Sequence, residues 1–287
     1  MSDSSARGVI HDIGYQRYQG PRLGRRYATR SLWLYSLRSA YGLGRTAKAK
    51  ILPVGLFTVA CVTSVILVVV NNALNQRVIS YVGLVATFSY AATVFVAIIG
   101  PELVSRDIRN NMLALYFSRP IDRSDYALAK LAALCAALFA LFAGPLLIML
   151  LGMAFNSSGG VSGVFHEIGL FLAGLAAAAI HAVVFAAIAL PLASLTGRRM
   201  FGTGLIVGVF LILAPVSGML RSLDDGALGR LAGLLDPVSV VNGVDRWLFN
   251  EGLFEIGRYG PAYGLFAFAV ATVSTAGLLR RYRRVQA

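Results

Sequence analysis

The chain has 287 residues, of which 57% are hydrophobic and only 14% are charged, and its formal net charge is +13. Soluble globular domains contain about 25% charged residues, so the composition excludes an ordinary soluble domain and indicates a polytopic membrane protein. In a soluble protein, such a charge would favour nucleic-acid binding. Here the basic residues flank apolar runs, so we expect the lipid bilayer as their partner and no nucleic acid.

The first fifty residues (1–50) are basic and polar, and the first apolar run begins only at Ile51, which argues against a cleavable signal peptide. From Leu23 to Tyr41, hydrophobic residues recur at helical spacing among arginines. This pattern predicts an amphipathic helix over 23–41 that lies in the membrane interface, and packing on the protein itself is the alternative. The residues that we single out in it are Arg26, Arg30, Trp33, Leu34 and Leu37.

Six apolar runs follow, each close to the length of about 20 residues that crosses a bilayer. Lipid offers no hydrogen-bond partner to the backbone, so helices are the expected form. We therefore predict an all-α polytopic membrane protein with a six-span domain over 51–280 and a basic tail at 281–287. The runs lie at 51–70, 79–100, 131–155, 168–194, 200–220 and 261–279.

Lysine and arginine are distributed unevenly among the segments between these runs. Ten lie in 1–50, five in 101–130, two at 198–199 and four in 280–284, whereas only five lie in the alternate segments. Basic residues concentrate on the cytoplasmic side of membrane proteins. We therefore expect a multi-pass protein of the plasma membrane, with both termini and the 101–130 insert in the cytoplasm.

Chemistry-bearing motifs are scarce. As drawn, the six runs contain no Asp, Glu, Lys or Arg, which argues against a proton-coupled transporter or a charge-lined channel. His181 is their one ionisable residue. It is a possible pathway residue, although a neutral histidine hydrogen-bonded within the bundle is the more ordinary interpretation. The chain has no phosphate-binding loop, zinc helix or nucleophile elbow, and its cysteines and histidines lack metal-ligand spacing, so we expect no enzyme, bound cofactor or metal.

Two further patterns concern packing and the outer surface. Gly204 and Gly208 have the spacing that lets helices approach closely, and Gly174 is followed by a run of alanines. The segment 221–260 is amphipathic around Val238–Phe249. We expect it to be re-entrant or to lie on the outer surface as a small cap.

The stretch Pro101–Lys130 is the longest charged insert between apolar runs. Inside it, an apolar patch from Met112 to Phe117 leads into Ser118-Arg119-Pro120. We expect a short amphipathic helix over 112–118 at the membrane edge, suited to docking a soluble partner. A solvated loop with one interfacial helix is the alternative.

Together these features resemble the ABC-2 type permeases, the membrane subunits of ATP-driven transporters. The match centres on Glu102 and on Leu113–Lys130, LALYFSRPIDRSDYALAK, which is similar to the family's Leu-rich helix, Ser/Ala-Arg-Pro turn and Gly/Ala-Lys before the third span. Asn110-Asn111 stands where the family often has Gly-Thr.

The resemblance implies that 112–118 is a coupling helix that docks into a separate ATP-binding cassette ATPase, which binds ATP and Mg²⁺. Two ATPase copies would join this chain and a second permease, identical or related. The helix 23–41 would be the gate or elbow helix. The coupling interface would comprise Glu102, Arg109, Met112, Leu113, Leu115, Tyr116, Phe117, Arg119, Pro120, Arg123 and Asp125.

We expect such a complex to export a lipid-like, peptide or drug-like substrate, because the runs are apolar. A membrane anchor or assembly factor that recruits cytosolic proteins without transport is the alternative.

Overall fold

A computed structural model describes residues 20, 23–74, 76–110, 112–118, 121–155, 160–224 and 226–284, without the side chains of Ala114 and Phe117. These residues form helices joined by short turns, with no strand among them. The first helix, α1, is Gly24–Ala40, and the short α4 is Leu113–Phe117. The all-α prediction is confirmed.

Six helices are long and apolar enough to cross a membrane. Five are continuous, and the fifth in order is α7 (Arg199–Val207), a π-helical segment (Gly208–Ile212) and α8 (Leu213–Leu223). The others are α2 (Ala47–Leu74), α3 (Tyr81–Arg109), α5 (Arg123–Phe155), α6 (Gly160–Ser194) and α11 (Gly260–Arg284).

The helices extend beyond the apolar runs drawn from the sequence. As a result, Glu102 and Asp107 lie in α3, Lys130 lies in α5 and Glu167 lies in α6. The four charged residues lie in these extensions, and the apolar runs themselves contain no Asp, Glu, Lys or Arg. A hydropathy boundary stops at the first charge, whereas a helix continues through charged residues whose side chains find partners.

Three spans form the centre of the bundle. In their most apolar windows, α3, α5 and α6 have 61%, 44% and 50% of residues buried, against 17% each for α2, the fifth span and α11. The peripheral helices therefore present apolar faces that suit lipid or another membrane helix.

Small residues permit the close helix contacts of this bundle. A Cβ added at Gly174 of α6 would lie 2.8 Å from the Tyr81 Cβ of α3, so that pair of helices depends on glycine. By contrast, a Cβ at Gly204 meets nothing within 4 Å. No described residue therefore packs closely against Gly204.

The segment 221–260 forms α9 (Ala227–Leu231), a 3₁₀ turn and α10 (Pro237–Phe249). Asp236 caps α10 by accepting hydrogen bonds from the backbone N–H groups of Val238 and Ser239 at 3.2 and 3.0 Å. Asn250 ends it in the left-handed conformation. The valines of α10 are buried against the bundle, so this helix is an integral part of the fold.

Candidate functional site

The four segments predicted to share a side meet at one end of the bundle. Arg25 of α1 contacts Asp125 of α5, and Arg123 donates to the backbone carbonyl of Arg283 at 3.1 Å. At the opposite end, Arg77 pairs with Glu167, and Ser80 donates to Glu251. The candidate site lies at the first end, which contains α1, α4 and the polar ends of α3, α5 and α11.

Charge pairs and a buried face hold α1 on α5. The Arg25 guanidinium donates to both Asp125 oxygens, at 2.5 and 2.8 Å, and lies 2.5 Å from Asp122. The hydrogen bond to Asp125, with the charges of both carboxylates, raises the pKa of Arg25, so it stays protonated. Leu32, Ser36 and Ala40 are the buried residues of α1. The helix therefore packs on the protein itself while its basic side stays open.

An apolar groove of about 450 Å³ runs between α1 and the insert that carries α4. Leu115, at the exposed surface of α4, has 64% of its area accessible, and Tyr35 on the α1 side has 63%. The lining residues are Tyr27, Ala28, Ser31, Leu32, Tyr35, Met112, Leu115, Tyr116 and Ile121. Apolar side chains left open among charges mark an interaction surface.

Glu102 joins three segments at the same end of the bundle. Its carboxylate contacts Arg45 of the α1–α2 turn, Arg199 at the start of α7 at 2.7 Å, and Arg106 one turn along α3 at 3.9 Å. The Glu102 side chain is only 9% exposed, whereas Arg106 and Arg199 are about half exposed. One buried acid thus links the second span to the turn before the first span and to the start of the fifth.

A second cluster lies deeper. Lys130 of α5 lies 2.9 Å from Asp107 of α3, and Tyr126 donates to the same carboxylate oxygen at 2.7 Å. The Lys130 and Asp107 side chains are 4% and 12% exposed. The Tyr126 ring also contacts Tyr116 of α4 and Tyr282 of α11, at 5.5 and 5.3 Å between centroids. This cluster connects the insert to three spanning helices.

Some of the predicted site residues are exposed or line the groove, and others are buried or pack on the core. Leu115 and Met112 line the groove, whereas Leu113 is buried beneath it. Arg109 is exposed at the end of α3. On α1, Arg26, Arg30 and Leu34 are exposed, and Trp33 and Leu37 pack partly on the core. Arg119, Pro120 and the Phe117 side chain lie outside the described residues.

Two predicted residues serve contacts within the chain. Asp125 binds α1 through Arg25, and Arg123 binds the end of α11. Sequence reasoning missed their partners and those of Glu102, because Arg25, Arg45 and Arg199 were counted only as positive charges. Lys130 was treated as the entry to the third span, although it is buried against Asp107.

His181 lies in the middle of the bundle, away from the groove. Its ring is fully buried, with Nδ1 2.9 Å from the Ala177 carbonyl and Nε2 3.6 Å from Asp245 of α10. Asp245 was also missed. The available signal was its position on the face of α10 that carries Val238 and Val241, where a charged residue interrupts an apolar stripe.

The chemistry of the groove is that of a contact surface. Across the described ranges, no group of three His, Cys, Asp or Glu side chains is placed to hold a metal ion. The groove instead offers leucine, methionine and tyrosine beside guanidinium groups. An apolar centre beside charged groups is also the composition of many protein–protein interfaces.

No protein-family model matches the chain, and no curated protein matches its sequence.

Proposed function

We propose that this chain is the membrane-spanning permease subunit of an ATP-driven exporter of the ABC-2 type, moved by a separate cytosolic ATPase. The observation that carries the proposal is the apolar groove between α1 and α4 at the basic end of a six-span bundle. The α1 wall is tied to α5 by the pair of Arg25 with Asp125, and the α4 wall contacts α5 through the rings of Tyr116 and Tyr126. A partner seated there acts directly on the bundle.

These contacts explain how movement of a docked partner would reach the spanning helices. A push on α1 passes to α5 through Asp125, and a push on α4 passes to α5 through the contact of the Tyr116 and Tyr126 rings. The pair between Lys130 and Asp107 joins α5 to α3. Glu102 carries the push onward to the fifth span through Arg199. The pair of Lys130 with Asp107 is buried and resists being separated, so we expect α3 and α5 to move together as a rigid body. ATP and Mg²⁺ would bind to the partner ATPase, of which two copies would be present.

A second permease, identical or related, fits the peripheral helices. The fifth span and α2 bury only 17% of their apolar windows, and Gly204 has an open face. A path formed between two such copies would be lined largely by apolar side chains. We therefore propose a lipid-like, peptide or drug-like cargo.

The test is purification of the tagged chain from its native membranes in mild detergent, with ATPase activity measured per mole of chain. Leu115→Asp places a charge where Leu115 would be buried in the interface. Losing a buried leucine costs about 1.5–3 kcal/mol, and desolvating the carboxylate adds to this, so co-purified ATPase falls at least tenfold. Leu195→Asp is the matched control, since Leu195 is 54% exposed near Arg199 and outside the groove.

Equal ATPase recovery from both variants would refute the docking assignment. The alternative, a non-transporting anchor, uses the same groove, and the two functions differ in their response to nucleotide. If the chain is an anchor, Leu115→Asp releases a partner that does not hydrolyse ATP. If the chain is a permease, Leu115→Asp releases a partner that hydrolyses ATP.

A further inference from the structure

The pair formed by His181 of α6 and Asp245 of α10 is unusual for a buried site. Both side chains have no accessible surface, and 3.6 Å separates His181 Nε2 from Asp245 Oδ2. Neither Nε2 nor either carboxylate oxygen has a hydrogen-bond partner among the described residues. Burying such groups without a partner is costly, so the pair requires something to satisfy it.

The hydrogen bond made by the histidine's other nitrogen, Nδ1, indicates which group satisfies the pair. A backbone carbonyl can only accept, so His181 Nδ1, 2.9 Å from the Ala177 oxygen, carries its hydrogen. In a neutral ring Nε2 is then a bare lone pair facing the carboxyl group. Two acceptors repel unless one proton lies on the carboxyl or on Nε2. One proton on either group turns this pair of acceptors into a donor and an acceptor.

Among the described residues, no lysine or arginine pairs with Asp245. Phe142 of α5 and Phe185 of α6 flank the His181 ring, each with 5.8 Å between centroids. The other charged and titratable groups around α10 have partners of their own: Glu251 accepts from Ser80, Arg246 pairs with Glu255, Tyr263 of α11 donates to the Arg230 carbonyl, Tyr81 of α3 donates to Glu167, and Asp236 accepts from Ser239.

We propose that His181 and Asp245 form a binding site for a single proton, and that this proton fastens the outer helix α10 to the spanning helix α6. The chain after α10 leads to the end of the bundle opposite α4, because Glu251, just after this helix, contacts Ser80 at the start of α3. The proposal stands independently of ATP-driven transport.

The direction of the pH effect follows from Asp245. Burial, followed by the negative charge of Glu251, raises the pKa of its carboxyl from 3.8 to about 8. The folded protein therefore keeps a proton that the unfolded chain releases near pH 4. The stability due to this proton is complete below that pH and is lost as the pH rises through about 8.

Trp247 of α10 is a built-in reporter, since it packs against Gly260 and Gly264 of α11. The chain has two tryptophans, so Trp33→Phe leaves Trp247 as the only one. We would titrate the fluorescence of this full-length protein in lipid nanodiscs from pH 6 to 9.5, with proton release measured in parallel. The expected result is a one-proton transition near pH 8.

Variants identify the proton's ligands. Asp245→Asn, which is isosteric, abolishes the transition, and His181→Gln lowers its midpoint because an amide N–H stabilises the ionised carboxylate. Asp224→Asn is the control: Asp224 is an acid of the same outer segment whose pKa is lowered by backbone N–H groups of Gly226 and Gly229, and its substitution leaves the midpoint unchanged. A featureless titration overturns the proposal, as does a transition that survives Asp245→Asn. An unchanged midpoint in His181→Gln overturns the role of the histidine.

Discussion

Replacing Lys130 by methionine tests whether the buried pair holds the insert to the bundle. Methionine keeps much of the side-chain length but removes the cation that lies 2.9 Å from Asp107. The carboxylate is 12% exposed, so it is left with the Tyr126 hydroxyl as its remaining described donor. Breaking a buried pair in this way costs about 3–5 kcal/mol.

The double variant Lys130→Met with Asp107→Asn separates the charge effect from simple loss of packing. An amide at position 107 is neutral and still accepts the Tyr126 hydrogen bond, so the buried charge is gone. The contact of the ammonium with the Tyr126 ring, 5.5 Å from its centroid, stays lost. That contact is worth about 0.5–1 kcal/mol at an exposed site and more when desolvated. We expect the double variant to lie within about 1–2 kcal/mol of wild type.

The assay is thermal unfolding of the purified chain in lipid nanodiscs. At about 2–4 °C per kcal/mol, Lys130→Met lowers the midpoint by on the order of 10 °C, and the double variant recovers most of this. Lys48→Met, an exposed lysine in the first turn of α2, is the control and shifts the midpoint little. A double variant as unstable as the sum of its two single variants would refute the reasoning.

Two further substitutions test other contacts by the same assay. Glu102→Gln removes the charge facing three arginines and costs about 1–3 kcal/mol of stability because that acid is nearly buried. The control Glu255→Gln, at a 77% exposed acid, costs under about 1 kcal/mol. Equal losses of stability would contradict the role given to burial. Gly243→Ala places a Cβ 2.2 Å from the Tyr263 ring and destabilises the contact of α10 with α11 by about 1–3 kcal/mol, whereas Gly218→Ala meets nothing within 4 Å. A stable Gly243→Ala protein would show that α10 is free to shift.

Hydropathy predicted the six helices because the cost of exposing backbone in lipid outweighs local propensity. It did not predict where they end. Lys130 and Glu167 continue their helices because Asp107 and Arg77 neutralise them, and such partners lie far away in the chain. Pairing of this kind depends on the packing of whole helices and leaves no periodic signal.

The candidate site was predictable in part. An apolar patch between charges indicated Met112 and Leu115, and both line the groove. The sequence predicted the helix over 23–41, but not that its Tyr27 and Tyr35 line the same groove. The contact of His181 with Asp245 joins residues that are distant in sequence, and only the fold of the outer segment reveals it.

The most direct test of the central claim is photo-crosslinking from position 115 in intact native membranes, with a photoreactive amino acid in place of Leu115 and, as control, in place of Leu195. We predict that position 115 captures an ATP-binding cassette ATPase, that ATP with vanadate changes the yield, and that position 195 captures none. Capture of a protein without nucleotide-binding activity from position 115, or equal capture of the ATPase from both positions, would contradict the account.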